Sequence, residues 1–172
     1  MNLVNKQQDL ICDALTIAPS RRARWCQDID PTLLERLQSE RPTTLEGVRA
    51  VWYSSHGENP NVAAYQHYAG SRYHGVNIHS LFYRGTIEFR WFEATLHAGK
   101  VKGYIQFILA LAFRALTMTR ANPARREYRA GNTKFHFRGF LKNLRLVGDE
   151  FKTCREHLLS PLAGPATHRI RE

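Results

Sequence analysis

The chain has 172 residues, 43% of them hydrophobic and 23% charged, which suits a folded domain with a core and excludes a disordered polymer. Its three cysteines, Cys12, Cys26 and Cys154, are far apart and form no Cys-x-x-Cys pair, so neither a disulfide framework nor a thiolate zinc site organises it. The net charge of +10 is uneven: residues 1–99 balance ten Lys/Arg with ten Asp/Glu, whereas residues 100–172 carry fifteen against five, a field that suits phosphates, nucleic acid or an acidic polypeptide, or simply a solvated face.

In chain order, Leu3, Gln7, Leu10, Ile11, Ala14 and Leu15 recur at helical spacing and predict a helix over residues 3–17 that Pro19 closes. A basic run, Arg21-Arg22-Ala23-Arg24, and Trp25 follow. Asp30 before Pro31 is an N-cap and first-turn pair for a helix carrying Leu33, Leu34 and Leu37, and Thr43 or Thr44 can cap the next through Leu45, Val48, Val51 and Trp52. Residues 54–70, broken by Pro60, read as a long loop. Two strands, about 72–80 and 86–92, then form a hairpin around Tyr83-Arg84-Gly85. From His97 or Ala98 to about Thr119 a long helix has a broad apolar stripe, expected to face the core through its middle. Pro123, Arg125, Arg126 and Arg129 mark a loop, and two more helices are expected over 134–146 and 150–159. Phe107 to Phe113 is the longest apolar run, too short to cross a bilayer, and the N-terminus lacks a secretory pattern, so a soluble cytoplasmic protein is expected.

The most informative segment is Gly85-Thr86-Ile87-Glu88-Phe89-Arg90-Trp91-Phe92. Strand alternation puts Glu88 and Arg90 on one face and Ile87, Phe89 and Trp91 on the other, against the long helix. A hairpin centred between Tyr83 and Arg84 would set His79 opposite Glu88 and Asn77 opposite Arg90. Four polar side chains on one face suit a site in which Glu88 holds a divalent cation, Arg90 grips a phosphate or carboxylate, and Asn77 or His79 positions oxygen atoms. The same residues also suit a structural Glu–Arg pair with polar neighbours. Phe135, Phe137 and Phe140, alternating with Lys134, His136 and Arg138, suit either base stacking or a partly buried apolar edge.

Three segments, Arg72-Tyr73-His74-Gly75-Val76-Asn77-Ile78-His79, the Gly-Thr-Ile-Glu-Phe-Arg strand, and Thr95-Leu96-His97-Ala98-Gly99-Lys100-Val101-Lys102, together resemble the carboxy-terminal half of the amidoligase family, with weaker support from Arg24-Trp25-Cys26. That family belongs to the carboxylate-amine ligase superfamily, with glutamine synthetase and glutamate-cysteine ligase. The resemblance implies an α+β fold in which the small sheet packs on several helices, as part of a glutamine-synthetase-like catalytic domain over residues 1–160, before a flexible tail at 161–172. It implies an ATP-dependent ligase with Mg2+, joining a carboxylate to an amine. Glu88 would be the metal ligand, Arg90 a contact to ATP phosphates or an acyl-phosphate, and Arg72, Asn77 and Lys100 further nucleotide or substrate contacts.

The family's strand with a metal-binding Glu-x-Glu pair has no counterpart in the sequence; Asp28 and Asp30, at that spacing, read as turn and cap residues. Glu93-Ala94 also departs from the small polar turn usual after the Glu-x-Arg strand. The expectation is therefore the carboxy-terminal part of an amidoligase, an active ligase or a remnant, with a partner chain as one source of the missing strand. The competing expectation is a noncatalytic basic module for nucleic acid or an acidic protein.

Overall fold

The computed structural model describes residues 1–170, and its α+β architecture is mostly helical with one two-stranded antiparallel sheet. The chain divides into two compact units: Met1–Asn5 with Ala18–Trp91, and Lys6–Ile17 with the chain from Phe92 onward. The helix α1 (Asn2–Ala14) gives its first residues to the first unit and the rest to the second.

The first helix ends at Ala14, short of the expected residue 17, and in the first unit Pro19 begins a helix instead of closing one. The basic run forms α2 (Pro19–Arg24), because proline's fixed φ and missing N–H suit a first helical turn. Asp30 caps α3 (Pro31–Glu40) as expected, its carboxylate accepting from Thr32 N at 2.7 Å, and Arg41 at φ 45° turns the chain. Thr44 caps α4 (Leu45–Ser55), accepting from Gly47 N at 3.1 Å. Leu33, Leu34, Val51, Trp52 and Tyr53 are buried by these helices and form much of this unit's core. The expected long loop at 54–70 is interrupted: Asn59 caps a single turn, α5 (Pro60–Ala63), and a 3-10 turn spans Gly70–Tyr73. Pro60 starts that helix instead of breaking a pattern.

The hairpin is the main correction. The strands β1 (Val76–Asn77) and β2 (Glu88–Phe89) are far shorter than the sequence suggested, and Val76 lies opposite Phe89 and Asn77 opposite Glu88. The expected pairing of His79 with Glu88 and Asn77 with Arg90 is thus displaced by two residues. The cause is a helix where a turn was expected. Asn77 Oδ1 accepts from His79 N at 2.8 Å and turns the chain into α6 (His79–Arg84), which ends at Gly85 with φ 74°, a left-handed conformation that glycine adopts without a Cβ penalty. A two-residue displacement keeps every side chain on its face, so Asn77, Glu88 and Arg90 still project together.

On β1's other side Gln27 forms a parallel bridge, donating to the Tyr73 carbonyl and accepting from Gly75 N, both at 2.8 Å. The apolar face of β2 is unevenly covered: Trp91 is fully buried, whereas Ile87 is half exposed rather than packed away.

In the second unit, α7 (Ala98–Thr117) is capped by His97 and packs on α9 (Lys152–Leu159). Gly103 permits close approach, since a Cβ there would sit 3.4 Å from the Cys154 Cα, and the Cys154 thiol donates to the Gly103 carbonyl at 3.4 Å. Of α7, Gly103, Phe107 and Leu111 are fully buried, four residues apart along one flank. Ile105, Leu109, Phe113 and Leu116 are exposed, so the expected core-facing middle narrows to that flank.

The helix α8 (Thr133–Asn143) buries Phe137 and Phe140, which settles those rings as core rather than base-stacking surfaces. A 3-10 turn at Asp149–Phe151 leads into α9, close to the expected boundary. Beyond it the Ala163 carbonyl accepts from Lys134 N at 3.0 Å and Ile170 N donates to Asn132 Oδ1 at 2.8 Å. Residues 171–172 of the expected flexible tail lie outside the described residues. No described helix is long and apolar enough to cross a membrane.

Gly75 is where side-chain space is tightest in the first unit, because an added Cβ would lie 2.0 Å from the Trp91 Nε1. Gly75→Ala therefore forces the buried indole to move. By overpacking it is expected to cost about 1–3 kcal/mol, read as a lower denaturant midpoint in chemical unfolding.

Candidate functional site

Glu88 is the centre of a fully engaged polar cluster. Its Oε1 accepts from Arg90 Nη1 at 2.9 Å, its Oε2 accepts from Asn77 Nδ2 at 2.7 Å, and Ser80 Oγ lies 3.5 Å from the same oxygen. Asn77 is fully buried and uses both ends of its amide, one on Glu88 and the other on the first turn of α6. The partners of Arg90 are equally fixed. Its Nε donates to the Trp25 carbonyl at 3.0 Å, and its guanidinium lies 5.4 Å from the centre of the Tyr73 ring. From α2, Arg21 reaches the same stretch of chain, donating to the carbonyls of Arg90 at 2.7 Å and Trp91 at 2.9 Å. Arg21 of the basic run thus anchors the two residues that follow β2, a role with no local signature.

Beside Glu88 opens a pocket of about 300 Å³, lined by His67, Arg72, His79, Ser80, Arg84 and Glu88 among others. That volume is at the small end of the range for ligand sites. Arg72 donates to the His67 carbonyl at 2.9 Å and lies over the Tyr68 ring, while Arg84 lies over Tyr83. His79, on the first turn of α6, is buried, with Nδ1 2.7 Å from the Tyr53 hydroxyl.

The family model described as "Putative amidoligase enzyme" matches residues 1–112, nearly two-thirds of the sequence. The chain belongs to the amidoligase family. No curated protein and no solved structure matches it. The matched segment includes the whole of the first amidoligase unit and, in the second, α7 as far as Ala112.

Within this amidoligase chain the structure gathers Arg72, Asn77, Glu88 and Arg90, which the sequence placed together. Arg90 is not among the residues that line the pocket; it holds Glu88 and the Trp25 carbonyl. The pocket's cations are Arg72 and Arg84. Lys100 is not among the lining residues and is exposed on the first turn of α7 in the second unit. His79, expected on the polar face, does line the pocket, whereas Ser80 and Arg84 reach it from a helix that strand periodicity conceals, and the Tyr53 partner of His79 comes from α4. Asp28 is paired with Arg22 through two hydrogen bonds of 2.7 and 2.6 Å, consistent with its reading as a structural residue.

The donor set does not fit magnesium by itself. Glu88 is a single carboxylate with both oxygens already engaged, and among the described residues no three His, Cys, Asp or Glu side chains are grouped to hold a metal ion. Magnesium needs further oxygens around it.

Burial raises the pKa of Glu88, but the Asn77 hydrogen bond, the Arg90 charge and hydrogen bond, and the more distant Arg72 charge outweigh it and hold the carboxyl below its ordinary range. Glu88 is therefore ionised at neutral pH. The pKa of His79 is also lowered, which keeps its ring neutral: burial dominates and outweighs the upward effect of the Glu58 charge, with the Arg72 charge adding a smaller lowering. His74, hydrogen-bonded through Nδ1 to the Ser71 carbonyl at 2.8 Å, is likewise lowered, chiefly by burial. Burial, with the Glu58 charge, raises the Tyr53 hydroxyl to about 12, so it stays protonated as a partner for His79. Cys26 is raised, burial outweighing Arg21 and Arg90, and stays a thiol rather than a nucleophile.

These shifts set the acid sensitivity of the unit. A histidine whose folded pKa lies below the ordinary value of 6.5 contributes stability that is fully present above that value and is lost as pH falls through the folded pKa. Glu88, lowered from 4.5, adds a second loss at more acidic pH. Thermal unfolding is thus expected to show a melting temperature that declines as pH drops below about 6.5. His74→Gln or His79→Gln should flatten the first part of that decline, whatever each costs at pH 8.

Proposed function

We propose that this chain acts in ATP-dependent carboxylate-amine ligation, with the pocket beside Glu88 receiving the reacting ends of the substrates. The reading is carried by one observation: in an amidoligase-family chain, an ionised carboxylate fixed by Arg90 and Asn77 shares a pocket with two guanidiniums, Arg72 and Arg84. Such a pairing of fixed negative and positive groups suits a reaction between an amine and an anionic acyl group.

In this reaction class ATP supplies the phosphoryl group: a carboxylate oxygen takes it with release of ADP, and the amine nitrogen then displaces phosphate from the acyl carbon and loses a proton. Arg72 and Arg84 stabilise the anionic end. Arg72 is the better fixed of the two, since its Nη1 is held by the His67 carbonyl and its charge already acts on Glu88. Glu88 attracts the amine and orients it. Arg90 is a positioning residue, keeping Glu88 ionised and in place, and His79, kept neutral by burial, adds no charge to repel the incoming amine. The carboxylate and amine are small at their reacting ends, in keeping with a pocket of about 300 Å³.

Calorimetric titration of the full chain with ATP and Mg2+, together with hydroxylamine trapping across a panel of carboxylates, tests the reading. Nucleotide binding and ATP-dependent hydroxamate formation are expected, and Arg72→Ala and Glu88→Gln should each lower kcat/KM roughly 100-fold, as for loss of a charged transition-state contact. Absence of nucleotide binding by the folded parent chain would overturn it.

A further inference from the structure

A second concave site lies in the other unit, almost entirely outside the segment matched by the family. It has a volume of about 590 Å³, and Arg126, Arg138, Lys142, Arg155 and Arg169 line it, with no Asp or Glu among the described lining residues. The loop before α8 supplies Arg126, α8 supplies Arg138 and Lys142, α9 supplies Arg155, and Arg169 comes from the segment after α9.

What holds these cations in place is neutral. Arg155 donates to the carbonyls of Leu146 at 3.2 Å and Gly148 at 2.7 Å, and Arg138 reaches the Ala166 carbonyl at 3.5 Å. Arg169 lies 5.4 Å from the centre of the Phe135 ring and Arg126 lies 5.2 Å from that of Tyr128, whose hydroxyl donates to Gln7. Carbonyl dipoles and aromatic faces fix guanidiniums without cancelling their charge. Elsewhere in the same unit a neighbouring arginine is neutralised: Arg125 makes a two-pronged pair with Asp9. Among the described residues, no such carboxylate lines the pocket with these cations. His136, on the same wall, ionises less readily than an ordinary histidine, first through burial and then through the charges of Arg126 and Arg169.

We propose that this pocket is an accessory binding site for a small, multiply phosphorylated molecule, whose phosphates are gripped by Arg126, Arg138, Lys142, Arg155 and Arg169. Three features favour a discrete ligand over a nucleic-acid strand. The volume lies within the range of small-molecule sites. The cations converge on one concavity from separate segments. Phe137 and Phe140, the rings that would offer bases a stacking track along α8, are buried in the core. Guanidinium groups match phosphate oxygens in forked pairs, and several around one pocket select for more than one phosphate.

The test uses inorganic pyrophosphate on the full chain and reads the His136 ring by NMR, its signal identified by loss in His136→Gln. That readout belongs to this pocket and separates it from anion binding beside Glu88. Pyrophosphate is expected to shift the His136 signal saturably. The dissociation constant from that signal should weaken at least tenfold in Arg126→Ala/Arg169→Ala and stay unchanged in Arg72→Ala. Lys142→Ala, at an exposed position, gives the same reading with less risk to folding. An unmoved His136 signal, binding that survives these substitutions, or loss of the shift in Arg72→Ala would overturn the proposal. So would a single-stranded oligonucleotide that moves the signal at a hundredfold lower concentration than pyrophosphate.

Discussion

The first unit is organised by the need to satisfy one carboxylate. Glu88 is only partly withdrawn from water, and a two-residue strand has little backbone bonding with which to hold it in one position. The solution is distributed. Asn77 takes one oxygen from the neighbouring strand, Arg90 takes the other from the same strand, and Arg90 is itself fixed by the Trp25 carbonyl and the Tyr73 ring. Arg21 then secures the backbone just after β2 from α2. Segments from residue 21 to residue 91 are thus tied to one ionised side chain, which explains how so small a sheet can position chemistry.

Features written in local chemistry were legible from the sequence. Asp30 before Pro31 and Thr44 before Leu45 cap the helices expected of them, because a side-chain oxygen within reach of the next free N–H needs no distant partner. The common face of Asn77, Glu88 and Arg90 was also legible, since alternation survives any even displacement of register. The register itself was not. It depends on the Asn77 side chain turning the chain into a helix, and a segment with Leu81, Phe82 and Tyr83 reads equally well as strand. The Tyr53–His79 bond, the parallel bridge from Gln27 and the anchoring by Arg21 join residues dozens of positions apart, and nothing in their immediate neighbours announces them.

The second unit solves its packing differently. Its long helix has a narrow buried flank of Gly103, Phe107 and Leu111, with glycine admitting Cys154 of α9 at close range, and its charge excess is arranged around neutral partners. Burial raises the Cys154 thiol to about 11, so the cysteine beside that glycine serves contact rather than reactivity. The two pockets therefore hold their charges differently: beside the first a carboxylate is fixed by a guanidinium, and around the second guanidiniums are fixed by carbonyls and rings.

The helix that replaces the expected turn between the strands gives the pocket an exchangeable wall. Ser80, Tyr83 and Arg84 reach it from α6, whereas Asn77 and Glu88 belong to the paired strands on either side. Because α6 is entered through a turn closed by the Asn77 side chain and ends at a left-handed glycine, its interior can vary in sequence while both anchor points and the two rungs beyond them stay the same. Relatives that keep Asn77, Gly85, Glu88 and Arg90 but differ between residues 80 and 84 would retain the charged frame while presenting a different surface to what enters it. The shape of the pocket can in this way diverge faster than the charges that frame it.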